Sequence, residues 1–351
     1  MHDDILVGLV GFGMAGRVFH APVIERVHGL RLAAIVQRTG DTAERFYPDA
    51  RIVRSVDDLL ADERIRLVVI ATPNASHATL AQQCLEAGRH VVIDKPFATS
   101  AAEAAALVDA ARRCRRVLSV FQNRRWDGDF LTVQQLIEQQ TCGRLVLLES
   151  RFERYRPSLR GTWREQPEPG AGILFDLGSH LVDQALSLFG LPEAVAGDVR
   201  VERDNAVVDD AFDVTLHYPG HRVLLRATML TTAPGPRFVV QGTAGAYVKF
   251  HLDPQEARLA AGDAAGRFWD QEPRERWGTL SRAAGDGIES ESLPTEAGDY
   301  RLYYANVRDA IWGTAALAVT PEQALDVIRI LELARRSSDE RRTLGVAGDG
   351  Q

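Results

Sequence analysis

Along the first 120 positions, short, mostly apolar, β-rich runs are separated by amphipathic stretches. The runs cover residues 5–10, 30–36, 67–71, 90–93 and 117–120. Residues 5–10 are continuously apolar, as in a strand buried on both faces of a parallel sheet, and the other runs read as further strands. Helical periodicity lies between them, over 14–27, over 78–87 where Gly88 stops it, and over 101–114 where Ser100 is positioned as N-cap. Strand and helix alternating in this way predict a doubly wound α/β domain of the Rossmann kind, over residues 1–122.

Beyond residue 125 the rhythm changes. Helices are expected over 129–139 and 176–189, and strand-like runs over 145–152, 194–201, 212–218, 223–230, 238–242 and 247–250. Turn residues such as Tyr218-Pro219-Gly220-His221 join consecutive runs, which predicts a large, mostly antiparallel sheet in an α+β domain over 123–351. The polar, glycine-rich stretch 262–298 reads as a long loop. A last helix over about 321–336, opened by Thr320-Pro321-Glu322-Gln323, is expected to pack back on the first domain.

Composition narrows the function classes. A chain of 351 residues is long for one core, in keeping with two domains. A net charge of -7 argues against a broad nucleic-acid surface, although local arginines can still bind an anion. Cys84, Cys114 and Cys142 are odd in number and far apart, so they read as small buried side chains in a reducing compartment. No secretory signal and no apolar run near the roughly 20 residues of a membrane helix is visible, so the expected location is cytoplasmic.

The first strand runs into Gly11-Phe12-Gly13-Met14-Ala15-Gly16. This G-x-G-x-x-G spacing allows a tight turn, then a close backbone approach, then a helix–strand contact, with a pyrophosphate on the helix N-terminal amides. An ordinary glycine-rich turn is the plain alternative; the preceding strand and following helix favour the dinucleotide site. The second strand ends Ile35-Val36-Gln37-Arg38-Thr39, with no acid for a ribose 2′-hydroxyl. Arg38 and Thr39 offer a cation and a hydroxyl to a 2′-phosphate, so NADP is expected rather than NAD. The alternative is a solvated Arg38, with Asp41 nearby.

Two segments carry candidate proton chemistry. Lys95, fixed before Pro96, stands at the carboxyl end of a parallel strand, where open α/β sheets place their ligands. Asp176 and His180 lie one helical turn apart, on a polar stripe with Asp183 or Gln184 and Ser187, opposite Leu177, Leu181, Ala185 and Leu188. Singly, His180 reads as a core histidine and Lys95 as a solvated strand end. No third ligand completes a metal site.

Gly11-Phe12-Gly13, Thr72-Pro73-Asn74 with His77, Asp94-Lys95-Pro96 and Asp176-x-x-x-His180 together resemble the Gfo/Idh/MocA oxidoreductase family over essentially the whole chain. Gln122-Asn123-Arg124-Arg125-Trp126, Tyr155-Arg156-Pro157 and Trp163-Arg164-Glu165 are similar to its NADP-dependent scyllo-inositol 2-dehydrogenases. Two departures are Asp94, where many members have Glu, and Gln122, where that group tends to have His. The resemblance implies hydride transfer between a nicotinamide and a secondary alcohol of a cyclic polyol or sugar, without a metal. His180 would be the base, Asp176 its orienting partner, and Lys95 the group stabilising the alkoxide. Residues 11–16, Arg38, Thr39, Thr72, Pro73, Asn74, His77, Asp94, Lys95, Pro96 and Asn123 would hold the cofactor. Arg125, Trp126, Tyr155, Arg156, Trp163 and Arg164 would line the substrate, together with Asp176 and His180. The same resemblance implies a homodimer or homotetramer formed through the C-terminal sheet. The competing readings are a reductase or dehydrogenase of another sugar, a non-catalytic NADP-binding regulator, and an NAD-dependent glycosidase.

Overall fold

The computed structural model describes residues 3–262 and 269–346. Its first six strands are β1 (Ile5–Val10), β2 (Leu30–Val36), β3 (Arg51–Val53), β4 (Ile65–Ile70), β5 (His90–Ile93) and β6 (Leu118–Val120). All pair in parallel, in the order β3-β2-β1-β4-β5-β6. Apolar residues of β1, β4 and β5 are buried almost without exception, as a sheet covered on both faces requires. The order reverses between β1 and β4, the point outside whose carboxyl ends such sheets bind ligands.

Helical segments follow the strands. A π turn over Gly16–His20 leads into α1 (Ala21–Ile24); α2 (Thr42–Phe46), α3 (Val56–Leu60), α4 (His77–Glu86) and α5 (Ala101–Cys114) come after it. The expected caps are present. Ser100 Oγ accepts the Glu103 N–H at 3.2 Å, and the Glu103 carboxylate accepts from the Thr99 N–H at 3.1 Å. Gly88 takes the left-handed conformation (φ +77°) that ends α4.

The remaining elements are α6 (Gly128–Glu138), β7 (Leu145–Glu153), α7 (Ser179–Phe189), β8 (Ala194–Arg200), β9 (Ala211–Tyr218), β10 (His221–Thr228), β11 (Phe238–Gly242), β12 (Gly245–Lys249), α8 (Gln255–Ala261), β13 (Gly278–Ala284), β14 (Gly287–Leu293), α9 (Arg301–Trp312), α10 (Pro321–Glu340) and β15 (Leu344–Gly345). Nine strands form a second sheet in the order β14-β13-β12-β11-β7-β10-β9-β8-β15, antiparallel except for β7 against β10. The Pro219-Gly220 turn joins β9 to β10 as expected, with Gly220 at φ +82° and Tyr218 opposite His221.

The stretch 262–298 is not one loop: where it is described it contains the β13–β14 hairpin. Residues 287–292 of β14 are all exposed, so the strand has no apolar alternation to betray it. Its signal was the turn instead, Gly285-Asp286-Gly287, with Gly285 at φ +57°. The chain divides into two compact units. Among the described residues the first comprises 3–123, 256–262 and 300–328; the second comprises 124–255, 269–299 and 329–346.

One fold-level histidine makes stability depend on acidity. His90 Nδ1 accepts the Val117 N–H at 2.9 Å, tying the start of β5 to the strand beside it. Burial, then the charges of Arg116 and Arg66, lower its pKa from 6.5 to about 4. Between those values the unfolded chain binds a proton that the folded chain does not, so stability falls as pH drops across that window. His90→Asn keeps an acceptor near the Nδ1 position and removes the titration. Its Tm is expected to decline less steeply than wild type from pH 6.5 to 4; identical slopes in a thermal melt series would assign the effect elsewhere.

Candidate active site

The glycine turn divides its labour as the spacing predicts. Gly11 sits at φ +99°, and a Cβ there would come 2.6 Å from the Ala71 carbonyl oxygen. A Cβ on Gly16 would lie 2.1 Å from the Gly11 oxygen. Both glycines are demanded by the protein's own packing. At Gly13 a Cβ would meet nothing within 4 Å. Its absence serves no protein contact and leaves the backbone open to a ligand's close approach, which fits a dinucleotide pyrophosphate. The helical run beginning at Met14 ends at Ile24 rather than at residue 27, and includes the π turn.

At the end of β2 the backbone is held by two side chains. Gln37 donates to the Thr39 carbonyl at 2.9 Å and accepts the Ala43 N–H at 2.8 Å. Arg54 donates to the Gln37 and Gly40 carbonyls, each at 2.8 Å. Arg38 and Thr39 are exposed, and the Arg38 guanidinium has no partner among the described residues. Asp41, the acid nearby, is engaged by Arg45 at 2.7 Å, whose hydrogen bond and charge hold its carboxyl below the usual range.

The loops after β4 and β5 are clamped together by one imidazole. His77 is fully buried, with Nδ1 2.9 Å from the Pro96 oxygen and Nε2 2.9 Å from the Thr72 oxygen. Burial drives its pKa down, against the pull of Asp94. Thr72 and Ser76 hydroxyls meet at 2.7 Å, and Asn74 is 5% exposed. Asp94 Oδ1 accepts the Lys95 backbone N–H at 2.9 Å. Burial would raise the Asp94 pKa, but His20, Lys95 and His77 around it hold it low. After β6, Gln122 and Asn123 are both buried, and Gln122 Oε1 has no hydrogen-bond partner among the described residues. In the sequence Gln122 figured only as a departure from a pattern.

In the second unit a π turn, Leu174–Gly178, runs directly into α7. Its entry is fixed by Asp209, which accepts the Leu174 N–H at 2.7 Å and crowds Gly172, where a Cβ would lie 2.2 Å from Oδ1. Asp176 sits in this turn, 3.5 Å from Arg164 Nε. His180 follows one turn later and is 4% exposed. The polar stripe of α7 does not share one environment: Ser187 is exposed, whereas Asp183 and Gln184 are buried. Asp183 binds Arg125 bidentately at 2.7 and 2.8 Å. Gln184 donates to the Arg124 carbonyl at 2.8 Å and accepts from Arg237 at 2.9 Å.

The candidate substrate residues therefore differ in kind. Arg125 is bound to Asp183 on α7. The Trp126 carbonyl accepts from the Asp299 N–H and from Gln255, at 3.1 and 3.0 Å. Arg164 lies over the Trp163 ring at 4.6 Å. Tyr155 is 58% exposed and pairs with Leu230 as an isolated bridge, while the Arg156 N–H binds the Met229 oxygen at 2.7 Å. Sequence reasoning missed His20, which is wholly buried and lies 3.6 Å from Asp94. A polar residue on the packed side of the first helix was its signal.

Among the described residues no group of three or more His, Cys, Asp or Glu could hold a metal ion, and no helix is long and apolar enough to cross a membrane. Comparison with known proteins gives two family matches: oxidoreductase family, NAD-binding Rossmann fold, over residues 5–122, and oxidoreductase family, C-terminal alpha/beta domain, over 134–346. An uncharacterized Escherichia coli oxidoreductase, YdgJ, is 42% identical over 99% of this chain and 100% of its own. The Bacillus subtilis scyllo-inositol 2-dehydrogenase (NADP(+)) IolW is 36% identical, covering 97% of this chain and 96% of its own. Among solved structures, the YPO2259 putative oxidoreductase from Yersinia pestis superposes with a TM-score of 0.94 at 41% identity, covering 100% of this chain and 99% of that one.

Proposed function

We propose that this chain, which belongs to the Gfo/Idh/MocA oxidoreductase family, is an NADP-dependent dehydrogenase of a cyclic polyol, with scyllo-inositol as the first candidate. That it is an NAD(P)-dependent dehydrogenase of CH–OH groups follows from the family and its inositol dehydrogenase relatives. The finer reading rests on one observation above all: the exposed, unpartnered Arg38 at the end of β2, beside an acid already engaged by Arg45. A guanidinium in that position can bind the oxygens of a 2′-phosphate through paired N–H donors. The likeness to a relative named for scyllo-inositol and NADP supports the substrate class.

A bound nicotinamide supplies the hydride acceptor, and the chain's own task is to hold it and to manage the proton. Residues 11–16 present backbone amides at the start of the first helix, while Thr72, Pro73, Asn74 and Asn123 lie in the loops and turn that follow β4 and β6. A secondary alcohol loses its hydroxyl proton as it becomes a ketone. His180 accepts that proton, since histidine titrates near neutral pH, and Asp176 orients its ring. The Lys95 ammonium donates to the oxygen on which negative charge develops.

The test is spectrophotometric, with NADP and NAD offered alongside scyllo-inositol, myo-inositol and glucose. Turnover with an inositol and NADP is expected. Arg38→Ala is expected to raise the KM for NADP by roughly 10–100-fold, the worth of a charged hydrogen bond or two, with little change for NAD. Equal effects on both cofactors would sink the NADP assignment. Cofactor binding without turnover on any polyol would point to a regulator instead.

A further inference from the structure

We propose that His20 is a positioning residue for the Lys95 turn, its ring fixed by Tyr304 at one nitrogen and directed at Asp94 by the other. The proposal rests on reading Lys95 as the oxygen-stabilising group. His20 ends the π turn after the glycine motif and is 0% exposed. Its Nδ1 lies 2.6 Å from the Tyr304 hydroxyl on α9. Its Nε2 faces Asp94 Oδ1 at 3.6 Å and has no hydrogen-bond partner among the described residues. The same Asp94 oxygen accepts the Lys95 backbone N–H at 2.9 Å. The side chain that holds the Lys95 backbone is therefore backed by this imidazole.

Elementary hydrogen-bond chemistry gives the arrangement a direction. An ionised carboxylate only accepts, so the favourable tautomer of His20 carries its proton on Nε2, toward Asp94. Nδ1 is then bare and accepts from the Tyr304 hydroxyl, whose single proton is used there. The opposite tautomer would set a lone pair against the carboxylate. Burial, reinforced by Tyr303 and Asp94, raises the Tyr304 phenol well above its ordinary value and keeps it a donor.

The frame around the ring is stiff. Phe121 packs on the imidazole with centroids 4.4 Å apart, and Tyr303 packs edge-on against Tyr304 at 5.2 Å. The Tyr303 hydroxyl donates to Ser119 at 3.0 Å, and the Ser119 hydroxyl donates to the Val319 carbonyl at 2.9 Å. If burial of a ring were all that mattered, no polar atom would be needed here. Burying an imidazole nitrogen without a hydrogen bond leaves its desolvation uncompensated. Pointing it at a carboxylate that itself holds the Lys95 backbone gives that cost a use.

Two substitutions separate positioning from packing. The amide of His20→Gln reaches the place of Nε2 and can donate to Asp94, whereas that of His20→Asn reaches only the place of Nδ1. His20→Asn is expected to lose roughly tenfold or more in kcat, the scale of a displaced catalytic group, with the KM for NADP little changed. His20→Gln should recover most of that loss. Equal losses in the two variants, or losses that follow Tm, would overturn the proposal. A readout independent of turnover is the imidazole 15N spectrum, with the His20 signals assigned by their absence from His20→Asn. A protonated Nε2 and bare Nδ1 are expected; the reverse tautomer would also overturn the proposal. Lys95→Ala measured in parallel keeps the two readings apart. If that variant turns over normally, the Lys95 role fails, while the 15N spectrum still judges His20.

Discussion

Lys95→Ala is expected to lower kcat by roughly 10²–10⁴-fold, the usual worth of a positioned proton-handling group, while leaving NADP affinity nearly unchanged. The separation of the two effects follows from how the residue is held. Its backbone N–H is bound by Asp94, and the following Pro96 carbonyl is met by His77, so the turn owes its shape to groups other than the lysine side chain. Truncation at Cβ removes the ammonium and leaves that frame standing. Lys95→Arg makes the test sharper. Guanidinium keeps the charge but does not give up a proton at working pH, and its planar fork sets its donors in a different geometry. If Lys95 only supplied positive charge, Arg would restore most of the rate; if it shares in moving the proton, Arg stays close to Ala. Steady-state rates and a fluorescence titration with NADPH measure both quantities. Substantial turnover in Lys95→Ala would remove Lys95 from the chemistry.

What could be seen in the sequence was whatever is written locally. The β1 run into Gly11, Gly13 and Gly16 identified the first domain because strand, turn and helix each follow from neighbouring residues. The Ser100 cap, the Pro219-Gly220 hairpin and Thr320 before α10 were legible for the same reason, the last with Thr320 and Gln323 exchanging hydrogen bonds of 3.2 Å. The β13–β14 hairpin was hidden because an edge strand exposed on both faces carries no periodic apolar signal. Pairs distant in sequence were equally invisible. Nothing near Arg125 announces Asp183, 58 positions away, and nothing near His20 announces Tyr304, 284 positions away. Arg125 consequently read as a substrate-lining residue through the family resemblance, with no sign of the bidentate pair its guanidinium makes with Asp183 on α7. The polar stripe on α7 was visible as a stripe. Its division into Asp176 in a π turn, buried Asp183 and Gln184, and exposed Ser187 needed the packed structure.

That division carries the second large expectation: Asp183→Ala should cost about 3–5 kcal/mol of stability, the penalty of leaving one member of a buried ion pair behind. The pair with Arg125 is bidentate, and the two side chains are only 11% and 2% exposed. The guanidinium, largely buried, then loses its counter-charge on that side. At roughly 2–4 °C per kcal/mol for a unit of this size, the melting temperature should fall by about 6–20 °C. The damage should also reach turnover, because His180 precedes Asp183 by less than one helical turn on α7. Replacing both partners with apolar residues, Arg125→Met with Asp183→Leu, should recover much of the melting temperature, since no charge is then left buried. Arg125→Met alone decides between the two readings of that arginine. As an anchor of α7 it should lose stability on the scale of Asp183→Ala; as a substrate-lining group it should keep its melting temperature and raise the KM for the polyol.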